Sequence, residues 1–117
     1  MKRIISCEID YVTDNGCSCV IISFCKGYAM QFLLLLDALK YNRIGKIECN
    51  GTDKRASFSQ AQDDGVKICI PGLIQEEMSS TQADLLRCCC IDCALGNYAF
   101  PHVDFEFGKV DLTIIFN

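Results

Sequence analysis

The residues with the widest chemical range in this chain are ten cysteines, one histidine and fifteen carboxylates. Cys90-Ile91-Asp92-Cys93 is a Cys-x-x-Cys inside the run that starts at Cys88. A redox pair of this kind has its attacking thiol at a helix N-terminus, where the dipole lowers the thiol pKa. Here Cys90 and Cys93 fall in the last two turns of a predicted helix, where the dipole's negative end raises it. The run therefore reads as a small-residue helix face packed on a sheet. A zinc site would need four ligands, for example Cys17 and Cys19 with Cys90 and Cys93. Cys17 and Cys19 share a strand face, but neither a second Cys-x-x-Cys nor a pair of histidines completes the pattern. The expectation is no metal and no cofactor, with most cysteines acting as small buried hydrophobes.

His102 is the one side chain ready to act as a base near pH 7, and its place after Pro101 puts it on the polar face of a predicted strand. The chain has no Gly-rich phosphate loop, nucleophile elbow or Walker motif. Asp63-Asp64 and Glu76-Glu77 fall in predicted turns, where carboxylates are ordinarily solvated. These residue types point to binding rather than catalysis, and the chain is expected not to be an enzyme.

The elements that position these groups are predicted as follows. Ile4 to Thr13 alternates, Asn15-Gly16 is a two-residue hairpin turn, and Cys17 to Phe24 is the return strand. This register sets Tyr11 against Val20, Ile9 against Ile22 and Cys7 against Phe24 on one apolar face. The helix over 28–42 is apolar around most of its circumference and has Gly45 as its stop signal. Strands at 46–49, 54–60 and 66–70 form a meander ended by Pro71-Gly72, with Ser57 to Gln62 polar enough for an edge or a loop. The second helix, over 79–95, opens with a capping box, Ser79 with Gln82, and has Gly96 at its C′ position. A C-terminal hairpin over 102–116 turns at Gly108-Lys109 and pairs Phe107 with Val110, Phe105 with Leu112 and Val103 with Ile114. The fold class is α+β: a mainly antiparallel sheet (N-terminal hairpin 4–24, middle meander 46–70, C-terminal hairpin 102–116) with two helices, in one domain over 1–117.

Half the residues are hydrophobic and 22% are charged, which excludes a disordered chain. With 15 acids against 11 bases, a broad basic face for nucleic acid is excluded as well. The N-terminus lacks the apolar run and cleavage site of a secretory signal, and the run from Phe32 to Leu36 is too short to span a bilayer. A cytoplasmic protein with reduced thiols and no membrane contact is expected. If the two hairpins belong to one sheet, Glu8, Asp10, Asp104, Glu106 and Asp111 share its outer face, and that face would dock a basic partner. Glu76 and Glu77, in the loop before the second helix, are the second choice.

Val20-Ile21-Ile22-Ser23-Phe24-Cys25-Lys26-Gly27, a strand ending at a glycine, is followed by the Leu-rich helix from Phe32 to Leu39. In a small acidic α+β chain this arrangement resembles the immunity proteins of bacterial contact-dependent growth inhibition, over roughly residues 17–72. The resemblance implies a cytoplasmic protein that binds one cognate protein toxin, often a nuclease, and occludes its active site or substrate surface. It implies no catalysis and no direct contact with nucleic acid. The alternatives are a chaperone of the type III secretion kind, whose usual long closing helix is replaced here by a hairpin, and a thiol redox protein using Cys90 and Cys93. Oligomeric state is left open.

Overall fold

The computed structural model describes residues 4–99 and 101–117. Among them are nine strands and two helices. The strands are β1 (Ile4–Ser6), β2 (Glu8–Asp14), β3 (Cys17–Phe24), β4 (Lys46–Asn50), β5 (Arg55–Gln60), β6 (Val66–Ile70), β7 (Ile74–Met78), β8 (His102–Glu106) and β9 (Asp111–Phe116). The helices are α1 (Ala29–Lys40) and α2 (Ser80–Leu95). The fold is α+β, built from a five-stranded sheet in the order β1-β4-β5-β6-β7 and a four-stranded sheet in the order β2-β3-β9-β8.

Both hairpins form at their predicted turns. Asn15 (φ 51°) and Gly16 (φ 79°) lie in the left-handed region that a primed two-residue turn requires. Ile9 pairs with Ile22 and Tyr11 with Val20, as the alternation predicts. Phe105 pairs with Leu112 and Val103 with Ile114. The two hairpins join through a parallel β3–β9 ladder, with Ile22 opposite Ile114. The premise that they share one sheet therefore holds.

The chain departs from the predicted pattern at five places. The single strand expected over Ile4 to Thr13 is two strands, β1 and β2, in different sheets. The break falls at Cys7, whose N–H donates to the Asn50 carbonyl at 3.0 Å, so Cys7 lies outside the ladder and does not pair with Phe24. Burial still alternates through the break, with Ile5 and Ile9 both inside; a pattern of period two reports the buried face and not which strand lies alongside. Tyr11 is 44% exposed rather than in the core. Ser57 and Ser59 belong to β5, the central strand of the five, because Ala56 and Phe58 fill the core side between them. The loop expected to hold Glu76 and Glu77 is the edge strand β7. Helix α1 ends at Lys40, well before Gly45: Asn42 adopts φ 59°, and the Arg43 N–H donates to the Ala38 carbonyl at 2.8 Å. Asparagine tolerates the left-handed region and served as the stop.

The core lies between the sheets and the helices. Phe32 of α1 sits at its centre, its ring 5.0 Å from Phe24, 5.3 Å from Phe58 and 6.4 Å from Phe116. One helical side chain thus ties the two sheets together. Helix α2 begins with the expected box, the Gln82 N–H donating to Ser79 Oγ at 3.2 Å and the Ser79 N–H to Gln82 Oε1 at 2.9 Å. It ends at Gly96 with φ 71°. Ala83, Leu86, Cys89 and Cys90 form its buried side. Arg87 fastens it to α1, donating to Asp37 Oδ1 at 3.1 Å and to the Leu36 carbonyl at 3.4 Å. Among the described residues, no helix is long and apolar enough to cross a membrane.

Candidate docking face

The β2-β3-β9-β8 sheet has its inner face on the core, and no described element covers its outer face. Strand pairing sorts the outer side chains into rows across the four strands. One row runs Asp10, Ile21, Thr113, Asp104; the next runs Glu8, Ser23, Ile115, His102; a third runs Val12, Cys19, Asp111, Glu106. Asp14, opposite Cys17, extends the same face along β2. All five carboxylates expected on this face are there and exposed.

The rows also show an order that alternation along single strands does not. Glu8, Asp10 and Asp14 lie on one edge strand and Asp104 and Glu106 on the other, about 14 Å away across three strand spacings. Between them the central strands present Ile21, Ile115 and Cys19, all part-covered by their neighbours, and Val12 is 50% exposed beside them. The face is an apolar strip between two acidic edges, with Asp111 within the strip. Glu8, Asp10, Glu106 and Asp111 make no ion pair with any described residue. Asp104 accepts a 2.6 Å bond from Thr113 Oγ1 and lies 3.8 Å from His102 Nε2. No described lysine or arginine occupies these rows; Lys109 is in the turn at one end.

The five-stranded sheet is a useful contrast. Its outer side chains include Lys46, Glu48, Arg55, Lys67 and Glu77, with Lys46 and Glu48 paired at 3.1 Å and Glu77 opposite Lys67. Charge there is balanced. Glu77 belongs to that surface, while Glu76, opposite Ile68, is on the core side of the edge strand and half-buried. The structure thus separates the second-choice pair from the other acids and from each other. An inward carboxylate on a short edge strand blocks pairing with another chain.

Sequence reasoning missed Asp14 and the apolar strip. Asp14 has the parity of Asp10, and carrying the alternation one residue further toward the turn finds it. The strip depends on β3 lying beside β9, which no local pattern reports.

The thiols are arranged differently. Cys49 and Cys90 are buried, and burial pushes both far above the ordinary thiol value, with neighbouring cysteines adding to it. Burial also raises Cys93, and moves Cys7 and Cys89 to about 11. Among the described residues no three His, Cys, Asp or Glu side chains are grouped to hold a metal ion. His102 is more than half exposed and, with Cys89, Asp92, Tyr98 and Pro101, lines a cavity of about 220 Å³ between α2 and the start of β8. No protein-family model, curated protein or solved structure matches the chain.

Proposed function

We propose that this protein is a non-catalytic inhibitor of the immunity type, which uses the open face of the four-stranded sheet to dock on and occlude a basic protein toxin. The observation that carries the reading is the concentration of charge. Six of fifteen acids lie on one sheet face, around an apolar strip, and no described lysine or arginine lies among them. Nuclease clefts are positive because they hold phosphates, and a carboxylate face can fill such a cleft without being turned over. Apolar groups at the centre supply desolvated contact, and the acidic edges set approach rate and orientation. The buried, raised thiols are the reverse of what an attacking thiolate needs, and the β8–β9 hairpin stands where a secretion chaperone would have its closing helix.

Neutralisation is the test. The wild-type chain serves as bait in its host of origin, and the activity of the captured protein is titrated against it. The expected result is a basic toxin inhibited at one-to-one stoichiometry. Asp10→Lys with Glu106→Lys should slow association about tenfold or more at low salt, the scale of electrostatic steering, without lowering the melting temperature. A captured toxin that binds the double variant as fast as wild type overturns the assignment of this face. Capture of nothing with an inhibitable activity overturns the function.

A further inference from the structure

We infer that the free edge of β8 is a strand-addition site, which takes an extended segment of the partner with basic and apolar residues in alternation. The inference rests on the docking reading above and adds how the partner is held. β8 is the outermost strand of its sheet. The Phe107 N–H donates to the Val110 carbonyl at 3.1 Å, and the Phe116 N–H to the Pro101 carbonyl at 2.9 Å. Backbone direction alternates along a strand, so the N–H and C=O of Val103 and Phe105 also point into the β9 ladder. Those of Asp104 and Glu106 point outward, and no described residue bonds them. Unpaired backbone groups on an exposed edge are a template for another strand.

Three features define the occupant. On the outer face, a strand laid along β8 has its side chains beside Asp104 and Glu106, which calls for lysine or arginine at every second position. On the inner face its neighbours are Val103, Phe105 and Phe107, with Phe105 and Phe107 stacked at 6.2 Å, which calls for apolar residues between. At the start of β8 the cavity of about 220 Å³ opens beside Pro101 and His102, with Asp92 on its wall. A long basic side chain fits it, with the stem against Tyr98 and the head at the carboxylate. Pockets beside a paired edge are how strand addition gains specificity. A second copy of this chain is disfavoured, because pairing β8 with β8 sets acids against acids.

The test uses the full chain and a synthetic decapeptide alternating lysine and valine. Two controls accompany it: a block isomer of the same composition, and the alternating peptide N-methylated at every second residue on the bonding side. Amide hydrogen exchange is read residue by residue. The alternating peptide should slow exchange at Asp104 and Glu106 tenfold or more, and neither control should. Glu106→Pro removes one edge N–H without touching the ladder and should bind the alternating peptide at least about tenfold more weakly than Glu106→Gln, which removes only the charge. If all three peptides bind alike and protect nothing, strand addition fails and the acidic face stands. If none of them binds, both fail.

Discussion

Cys49, Cys89 and Cys90 lie in the core with Cys7 packed against it, and this has a measurable consequence in alkali. Burial holds Cys7 and Cys89 near 11 against an ordinary 9.0, and holds Cys49 and Cys90 higher still. Below pH 9 these thiols stay protonated in folded and unfolded chains alike, so their contribution is fully present there. As pH rises past 9 the unfolded chain ionises first, the folded chain keeps its protons, and stability falls. In reductant, the urea midpoint should drop between about pH 9 and pH 11. Cys7→Ala with Cys89→Ala should show a shallower fall, and an identical slope would mean that burial does not control these thiols. This residue scale was only partly legible in the sequence. Most of the ten cysteines were expected to be buried, but only Cys49, Cys89 and Cys90 are, with Cys17, Cys25 and Cys88 exposed and the other four part-covered. It is burial rather than helix position that raises Cys90. Asp14 was not legible, because a turn signal beside it masked its strand parity.

At the scale of elements, the hairpins were the most legible and the edges the least. A two-residue turn with a glycine fixes register by local geometry, and both registers follow from it. β7 escaped notice because only its ends, Ile74 and Met78, are buried; an edge strand needs few apolar residues and so carries little alternation. The parallel contacts β1–β4 and β3–β9 join segments distant in sequence, and alternation within each segment says nothing of which partner it takes. The C-terminal hairpin is the element to test, since it supplies half of the proposed docking face. Phe105 is 2% exposed and stacks on Phe107, so Phe105→Ala should cost about 3–5 kcal/mol by opening a cavity. Gly108 has φ 89°, and a Cβ added there meets nothing within 4 Å. Gly108→Val therefore costs only backbone strain, about 1–3 kcal/mol, and Gly108→Asn should cost less because asparagine tolerates positive φ. Urea melts check the order. A loss below about 1 kcal/mol for Phe105→Ala would mean that the hairpin does not bury Phe105 in the core.

For the molecule as a whole, the net charge of -4 is not spread evenly. The open face holds six acids, leaving nine acids against nine bases among the other described residues. Acids two apart on one strand stand about 7 Å from each other, inside the Debye length of roughly 8 Å at physiological salt. The face therefore repels itself in the free protein, and the basic partner proposed above would relieve that repulsion on docking. Acids that served only solubility would do so as well when scattered among cations, as they are on the other sheet. The expected outcome is a stability that rises with salt: the urea midpoint should increase from about 10 mM to about 150 mM sodium chloride as repulsion is screened. Asp10→Asn with Asp14→Asn and Glu106→Gln should be more stable than wild type at low salt, by a few tenths to about 1 kcal/mol. The same triple variant should lose most of the salt dependence, and should lose partner affinity while gaining stability. Glu48→Gln, which breaks a paired charge on the balanced sheet, should do neither. A triple variant no more stable than wild type at low salt would mean that the acids are independently solvated, and the concentration of charge would then give no reason to place the partner on this face.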